Sequence, residues 1–138
     1  MPKKQPLYPH VPKRKQQVIK TTVSDQRIED LLCDALEGGS NYWYIIKKFN
    51  YPSGQTKESL GITYPHIELP LKGGSLTIGD IEGQMPDKVL DRAAITKGLE
   101  LMAEKYPKHY ADFLAENDDA TTGDVFLQLA VFGEVVFG

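Results

Sequence analysis

From Asp124 to Gly138 the chain reads DVFLQLAVFGEVVFG, and along it only Asp124, Gln128 and Glu134 carry polar side chains. Drawn as a helix, this segment puts Phe126, Leu129, Ala130, Gly133 and Phe137 on one face, while Val125, Phe132, Val135 and Val136 fill the rest. A helix that is apolar nearly all round has no side to give to water and belongs in the interior. The remainder of the chain must therefore supply elements that wrap this helix. It must also supply partners for Asp124 and Gln128, because buried polar groups are costly unless hydrogen-bonded.

The wrapping elements can be read from spacing. Ser24 is placed to cap a helix, with Val23 before it and Ile28 after it as a hydrophobic staple. Ile28, Leu31, Leu32, Ala35 and Leu36 then form one apolar stripe, and Gly38 and Gly39 end it. The aromatic and β-branched run 41–49 predicts a strand. Residues 50–61 form a turn-rich loop, and 62–71 and 75–83 predict two more strands joined by a glycine hairpin at Lys72, Gly73 and Gly74. Pro65 and Pro70 push the first of these toward a sheet edge. In the second, period two puts Asp80 on the side of Leu76 and Ile78, unless Gly79 marks a bulge that turns it out. Two further helices follow, the first including Leu90, Ala94, Leu101 and Met102, the second around KHYADFLAE. Thr121 or Thr122 can cap the last helix.

The expected fold class is α+β, a three-stranded antiparallel meander packed against about four helices with the C-terminal helix buried. Residues 1–20 read as a basic, proline- and lysine-rich arm in an extended state, and 21–138 as a single α+β domain. The arm holds six basic residues and no acid, whereas His109 to the end holds six acids and no Lys or Arg. A basic arm suits an acidic surface or nucleic acid, with Lys13, Arg14 and Lys15 as the phosphate-binding candidates; it equally suits a solvated tail.

Several function classes have no support. One cysteine, Cys33, cannot close an intrachain disulfide, and with so few clustered His and Cys no metal site and no cofactor are expected. No apolar run reaches the length of a membrane span. The first residues lack the apolar centre of a secretion signal, so the expected location is the cytoplasm. No nucleophile elbow, phosphate loop or dinucleotide fingerprint is present, and no catalytic residue is assigned.

Three clusters remain as binding candidates. Glu37, Gly38, Gly39, Ser40, Asn41, Tyr42 and Trp43 combine glycines that admit close approach, side-chain hydrogen bonds, and aromatic faces that can stack. The same residues also read as a helix stop followed by a core strand. Asp118, Asp119, Thr122 and Asp124 either engage a basic surface or a cation, although their spacing matches no calcium loop, or cap a helix start. Asp124 and Gln128, one helical turn apart, reach a common partner. Together with Asp80 they either line a cleft or brace loops. The glycine-rich junction is the strongest source of donors for them, so the two are expected to face each other.

LEGGSNYWY and FLAENDDATTGDVFLQLAVFGEVVFG together resemble a family of small proteins encoded by bacteriophages and prophages. The resemblance spans about Ile28 to Gly138 and leaves out the arm. It implies a bacterial host as the setting and an accessory protein that binds and blocks a host factor or defence component. The expected function is thus a non-enzymatic binding protein whose partner is a host protein or a small nucleotide-like ligand, with its oligomeric state left open. A nucleic-acid-associated protein using the arm is the alternative, and a small carboxylate-dependent enzyme of nucleotide metabolism ranks behind both.

Overall fold

A computed structural model describes residues Thr22–Gly138; the arm, with Lys13, Arg14 and Lys15, lies outside the described residues. The first helix among the described residues, α1 (Asp25–Asp34), starts where Ser24 Oγ accepts the Arg27 N–H at 3.2 Å. It runs into a π-helical turn (Ala35–Gly39). Strand β1 (Tyr44–Asn50) comes next, then a short helix α2 (Pro65–Glu68) continued by a 3-10 turn (Leu69–Leu71). Strands β2 (Ser75–Asp80) and β3 (Lys88–Leu90) precede α3 (Arg92–Lys105), α4 (Pro107–Leu114) and α5 (Ala120–Phe132). The fold is α+β, with five helices among the described residues and one antiparallel sheet in the order β1-β2-β3.

The meander is present, but not from the expected strands. Within 62–71, residues 62–64 are irregular and Pro65–Leu71 is helical, and Lys72–Gly74 is no hairpin. Pro65 sits at the first position of α2, where its missing N–H costs nothing. The Glu68 carboxylate reaches back to the N–H groups of Thr63 and Tyr64 at 3.0 and 2.7 Å. Ile67, Leu69 and Leu71 still all face inward, because an α turn tightened into a 3-10 turn carries all three to the core side. The third strand is β3, and Leu90, expected in a helix, pairs with Leu76 across the sheet. In β2, Leu76, Ile78 and Asp80 are all buried, so Asp80 takes the inward alternative. The register shift lies in β1 between Ile46 and Lys48, not at Gly79.

Helix α5 is the centre of the packing and touches α1, the π turn, β3, α3 and α4. Phe126, Leu127, Leu129, Ala130 and Val131 on it are buried. Two glycines let it sit close. A Cβ on Gly123 would lie 2.5 Å from the Ala35 nitrogen, and one on Gly98 would lie 2.8 Å from the Ala130 Cβ. The helix is shorter than expected and stops at Phe132. Gly133 adopts φ 77° and donates to the Leu129 carbonyl at 3.0 Å, a left-handed C-terminal cap that reverses the chain. Val135, Val136 and Phe137 therefore form a returning tail instead of a further helical turn. At the other end the cap is Asp119, whose side chain accepts the Thr122 N–H, and not Thr121 or Thr122. Among the described residues no helix is long and apolar enough to cross a membrane.

Candidate functional site

Half-buried Asp124 finds its partners in the glycine-rich junction, and fully buried Gln128 finds most of its own in the tail that follows α5. Asp124 Oδ1 accepts from Ser40 Oγ (2.8 Å), Trp43 Nε1 (2.8 Å) and Gln128 Nε2 (3.1 Å), and Oδ2 accepts from the Tyr42 hydroxyl (2.7 Å). Gln128 is fully buried and serves both ends of its amide. Its Oε1 accepts the N–H groups of Val136 and Phe137 at 2.7 Å each, and its Nε2 also donates to the Phe137 carbonyl at 3.2 Å. A glutamate here would lose those donors and face Asp124 with like charge. Gln128 thus clips the returning tail, and Phe137 stacks on Trp43 with ring centres 5.2 Å apart and planes at 14°.

The local backbone makes this network. The π turn and Ser40 end α1, with the Ser40 N–H on the Ala35 carbonyl, and the Trp43 and Tyr44 N–H groups return to the Ser40 carbonyl. Gly39 is required because a Cβ there would lie 1.9 Å from the Ala120 carbonyl oxygen. The glycine pair therefore admits the start of α5 and not a ligand. Burial pushes the Tyr42 phenol up, and the Asp124 carboxylate adds to the shift, to about 12. Tyr42 stays protonated, a donor to Asp124, across the physiological range.

The expected site residues separate into distinct places. Ser40, Tyr42, Trp43, Asp124 and Gln128 are brought together. Asn41 is exposed beside them. Glu37 points elsewhere, accepting from Cys33 Sγ at 3.4 Å and lying 2.6 Å from His66 Nε2. Gly38 packs against Ala120. Asp118 pairs with Arg27 at 2.5 Å, and Asp119 and Thr122 belong to the α5 cap, with His109 Nδ1 3.2 Å from the Thr122 hydroxyl. Trp43 is not a free stacking platform: it is 2% exposed, and Phe137 occupies a ring face. Asp124 is already surrounded by donors, and the shallow depression beside it is otherwise lined largely by apolar groups, among them Val125, Val135 and Phe137.

The better-formed cavity lies on the other side of Tyr42. It has a volume of about 180 Å³ and is walled by Tyr42, Phe137, Ile81 and the small accessible part of Trp43. Asp80, Glu82 and Gln84 complete it. Asp80 builds this rim. Its Oδ1 and Oδ2 accept the N–H groups of Gln84 (2.9 Å) and Met85 (2.6 Å), which curls residues 81–85 into a turn. Burial opposes its ionisation, but these and neighbouring backbone N–H groups outweigh burial and hold its carboxyl below the usual range. The Ile81 N–H closes on the Trp43 carbonyl at 2.6 Å, fastening the rim to the junction. Ile81 itself is 54% exposed and Tyr42 53%.

Ile81, Glu82, Gln84 and Phe137 were not among the expected site residues. Only the apolar Ile81 beside a turn signal hints at the site in sequence. Among the described residues, no group of three or more His, Cys, Asp or Glu side chains is placed to hold a metal ion. Comparison with protein-family models, curated proteins and solved structures finds no match to the chain.

Proposed function

We propose that the chain is a phage-encoded, non-enzymatic binding protein that inhibits or sequesters a host protein, and that it recognises its partner through the Tyr42–Ile81–Phe137 cleft. The setting comes from the family resemblance of its two motif blocks. The observation that carries the reading is the contrast between the cleft and the carboxylate behind it. Tyr42 and Ile81 are large apolar side chains held more than half exposed, on a backbone locked by Asp80 and by the Asp124 network. Exposed aromatic and aliphatic anchors on a rigid frame are what a recognition surface needs, because little ordering entropy is lost on binding. A reacting carboxylate needs an open coordination shell, and Asp124 already receives four donors.

The test uses the full chain as bait in host lysate, beside Ile81→Arg, which blocks the rim at a side chain more than half exposed. Wild type should retain a host protein that Ile81→Arg loses by about tenfold or more, at equal melting temperature, since central anchors carry most of an interface's free energy. Identical retention by both proteins would overturn the cleft as the recognition surface.

A further inference from the structure

The lining of the cleft carries a chemical signature beyond its shape. Its walls are the rings of Tyr42 and Phe137 and the accessible part of Trp43, and its polar rim is two carboxylates, Asp80 and Glu82, with the Gln84 amide. None of the lining residues is basic. Asp80 is buried, and its carboxylate is stabilised by backbone N–H groups, so it holds a fixed negative charge at the base of the rim. Glu82 is exposed and accepts from Gln84 Nε2 at 3.1 Å, which holds that amide beside it. Aromatic faces carry negative potential at their centres, and carboxylates beside them add to it. A volume of about 180 Å³ admits about six waters, or one long side chain in their place.

We propose that the cleft takes an arginine side chain from a basic segment of the partner protein, its guanidinium set against the Tyr42 and Phe137 rings and its N–H groups turned to Glu82. This rests on the reading of the cleft as the recognition surface and names the chemistry of what it recognises. Guanidinium is favoured over ammonium because it is planar, weakly hydrated and able to stack and donate at once. A neutral apolar side chain would fill the same walls but would give the Glu82 carboxylate no cation to pair with and would sit beside the Asp80 charge without benefit from it. Those charges make the choice.

Trp43 is the sole tryptophan, so its emission reports on the cleft directly. The purified full chain is titrated with the blocked tripeptide acetyl-Gly-Arg-Gly-amide, with its neutral isostere carrying citrulline, and with a norleucine counterpart. Backbone amide shifts of Ile81–Gln84 are followed by NMR as a second readout. The arginine peptide should bind saturably and about tenfold more tightly than the citrulline peptide, the scale of a partly desolvated cation–π contact with a carboxylate at hand. Glu82→Gln should weaken the arginine peptide several-fold and leave the citrulline peptide unchanged. Equal binding of arginine and citrulline, tighter binding of norleucine, indifference of the arginine peptide to Glu82→Gln, or silence in both readouts would each overturn the proposal. If the peptides fail while Ile81→Arg still loses a host partner, the cation is wrong and the recognition surface stands.

Discussion

Two carboxylates near the meeting of α1 and α5 are treated in opposite ways. Asp124, the fifth residue of α5, receives four side-chain hydrogen bonds from Ser40, Tyr42, Trp43 and Gln128. Asp34, the last residue of α1, has its Oδ2 buried with no hydrogen-bond partner among the described residues. Its neighbour is another acid, Asp118, which Arg27 holds at 2.5 Å while lying 5.0 Å over the Phe113 ring. Burial pushes the Asp34 carboxyl up, and the Asp118 carboxyl beside it adds to this, to about 7. Burial also works against ionisation of Asp118, but the Asp34 acid and the Arg27 guanidinium outweigh it and hold Asp118 below the usual range. One carboxylate is therefore compensated by neutral donors whose state does not change near neutrality. The other relies on a proton that it loses there. The first arrangement makes a permanent brace, and the second makes a joint whose strength depends on pH.

The largest effect should come from emptying the brace. Asp124→Leu leaves the buried Trp43 Nε1 and Ser40 hydroxyl without their acceptor, and each such orphan costs about 1–3 kcal/mol. A total loss of about 3–5 kcal/mol is expected in chemical denaturation. Asp124→Asn keeps one acceptor oxygen and should recover more than half of that loss. If leucine and asparagine destabilise equally, the hydrogen bonds are not what stabilises the junction.

The next effect is the pH dependence of the joint. The folded Asp34 keeps its proton up to about pH 7, whereas the unfolded carboxyl releases it at 3.8. Between these values the folded state binds more protons, so this contribution to stability is complete below pH 3.8 and declines as pH rises to about 7. Asp118 acts in the reverse sense, with a contribution present above 3.8 and lost as pH falls through its lowered folded value. Asp34→Asn cannot ionise. The stability of wild type minus that of Asp34→Asn should therefore fall by on the order of 1–3 kcal/mol from pH 4 to pH 7, with part of the full linkage value lost to solvent screening. A difference that is flat across this range would show that Asp34 titrates as an ordinary surface acid.

The brace was legible in the sequence and the joint was not, for a physical reason. Asp124 and Gln128 stand out because they interrupt an otherwise apolar helix, and Ser40 with its flanking glycines is the richest donor segment available to answer them. Asp34 interrupts nothing. It follows Cys33 at the end of an amphipathic helix, where acids are ordinary, and its approach to Asp118 depends on how α5 packs. The same division holds for the fold. The α1 stripe and its Ser24 cap are local patterns and appear as read. Residues 67, 69 and 71 alternate as a strand would, yet the two prolines favour helical turns, and period alone cannot separate the two. Strand β3, only three residues long, is too short to show a period. Gly133 did carry a signal, since a glycine after an apolar helix commonly caps it. Phe137 then leaves the helix face to reach Trp43, a long-range pairing that nothing local specifies.

The smallest effect is also the most selective, because it separates the brace from the cleft. Tyr42 belongs to both: its hydroxyl donates to Asp124 Oδ2 at 2.7 Å, and its ring walls the cavity. Tyr42→Phe removes the first role and keeps the second. Oδ2 is left facing the shallow, solvent-reached depression beside Tyr42, so water can replace the phenol, and the loss should be about 0.5–1 kcal/mol, the net value of one hydrogen bond. Arginine-peptide binding should stay within about twofold of wild type, since the ring face that meets the cation is intact. Tyr42→Leu, which removes the ring as well, should cost similar stability but weaken the peptide markedly. If Phe and Leu weaken the peptide alike, the hydroxyl and the Asp124 network behind it, and not the aromatic face, set recognition, and the brace and the cleft are one device.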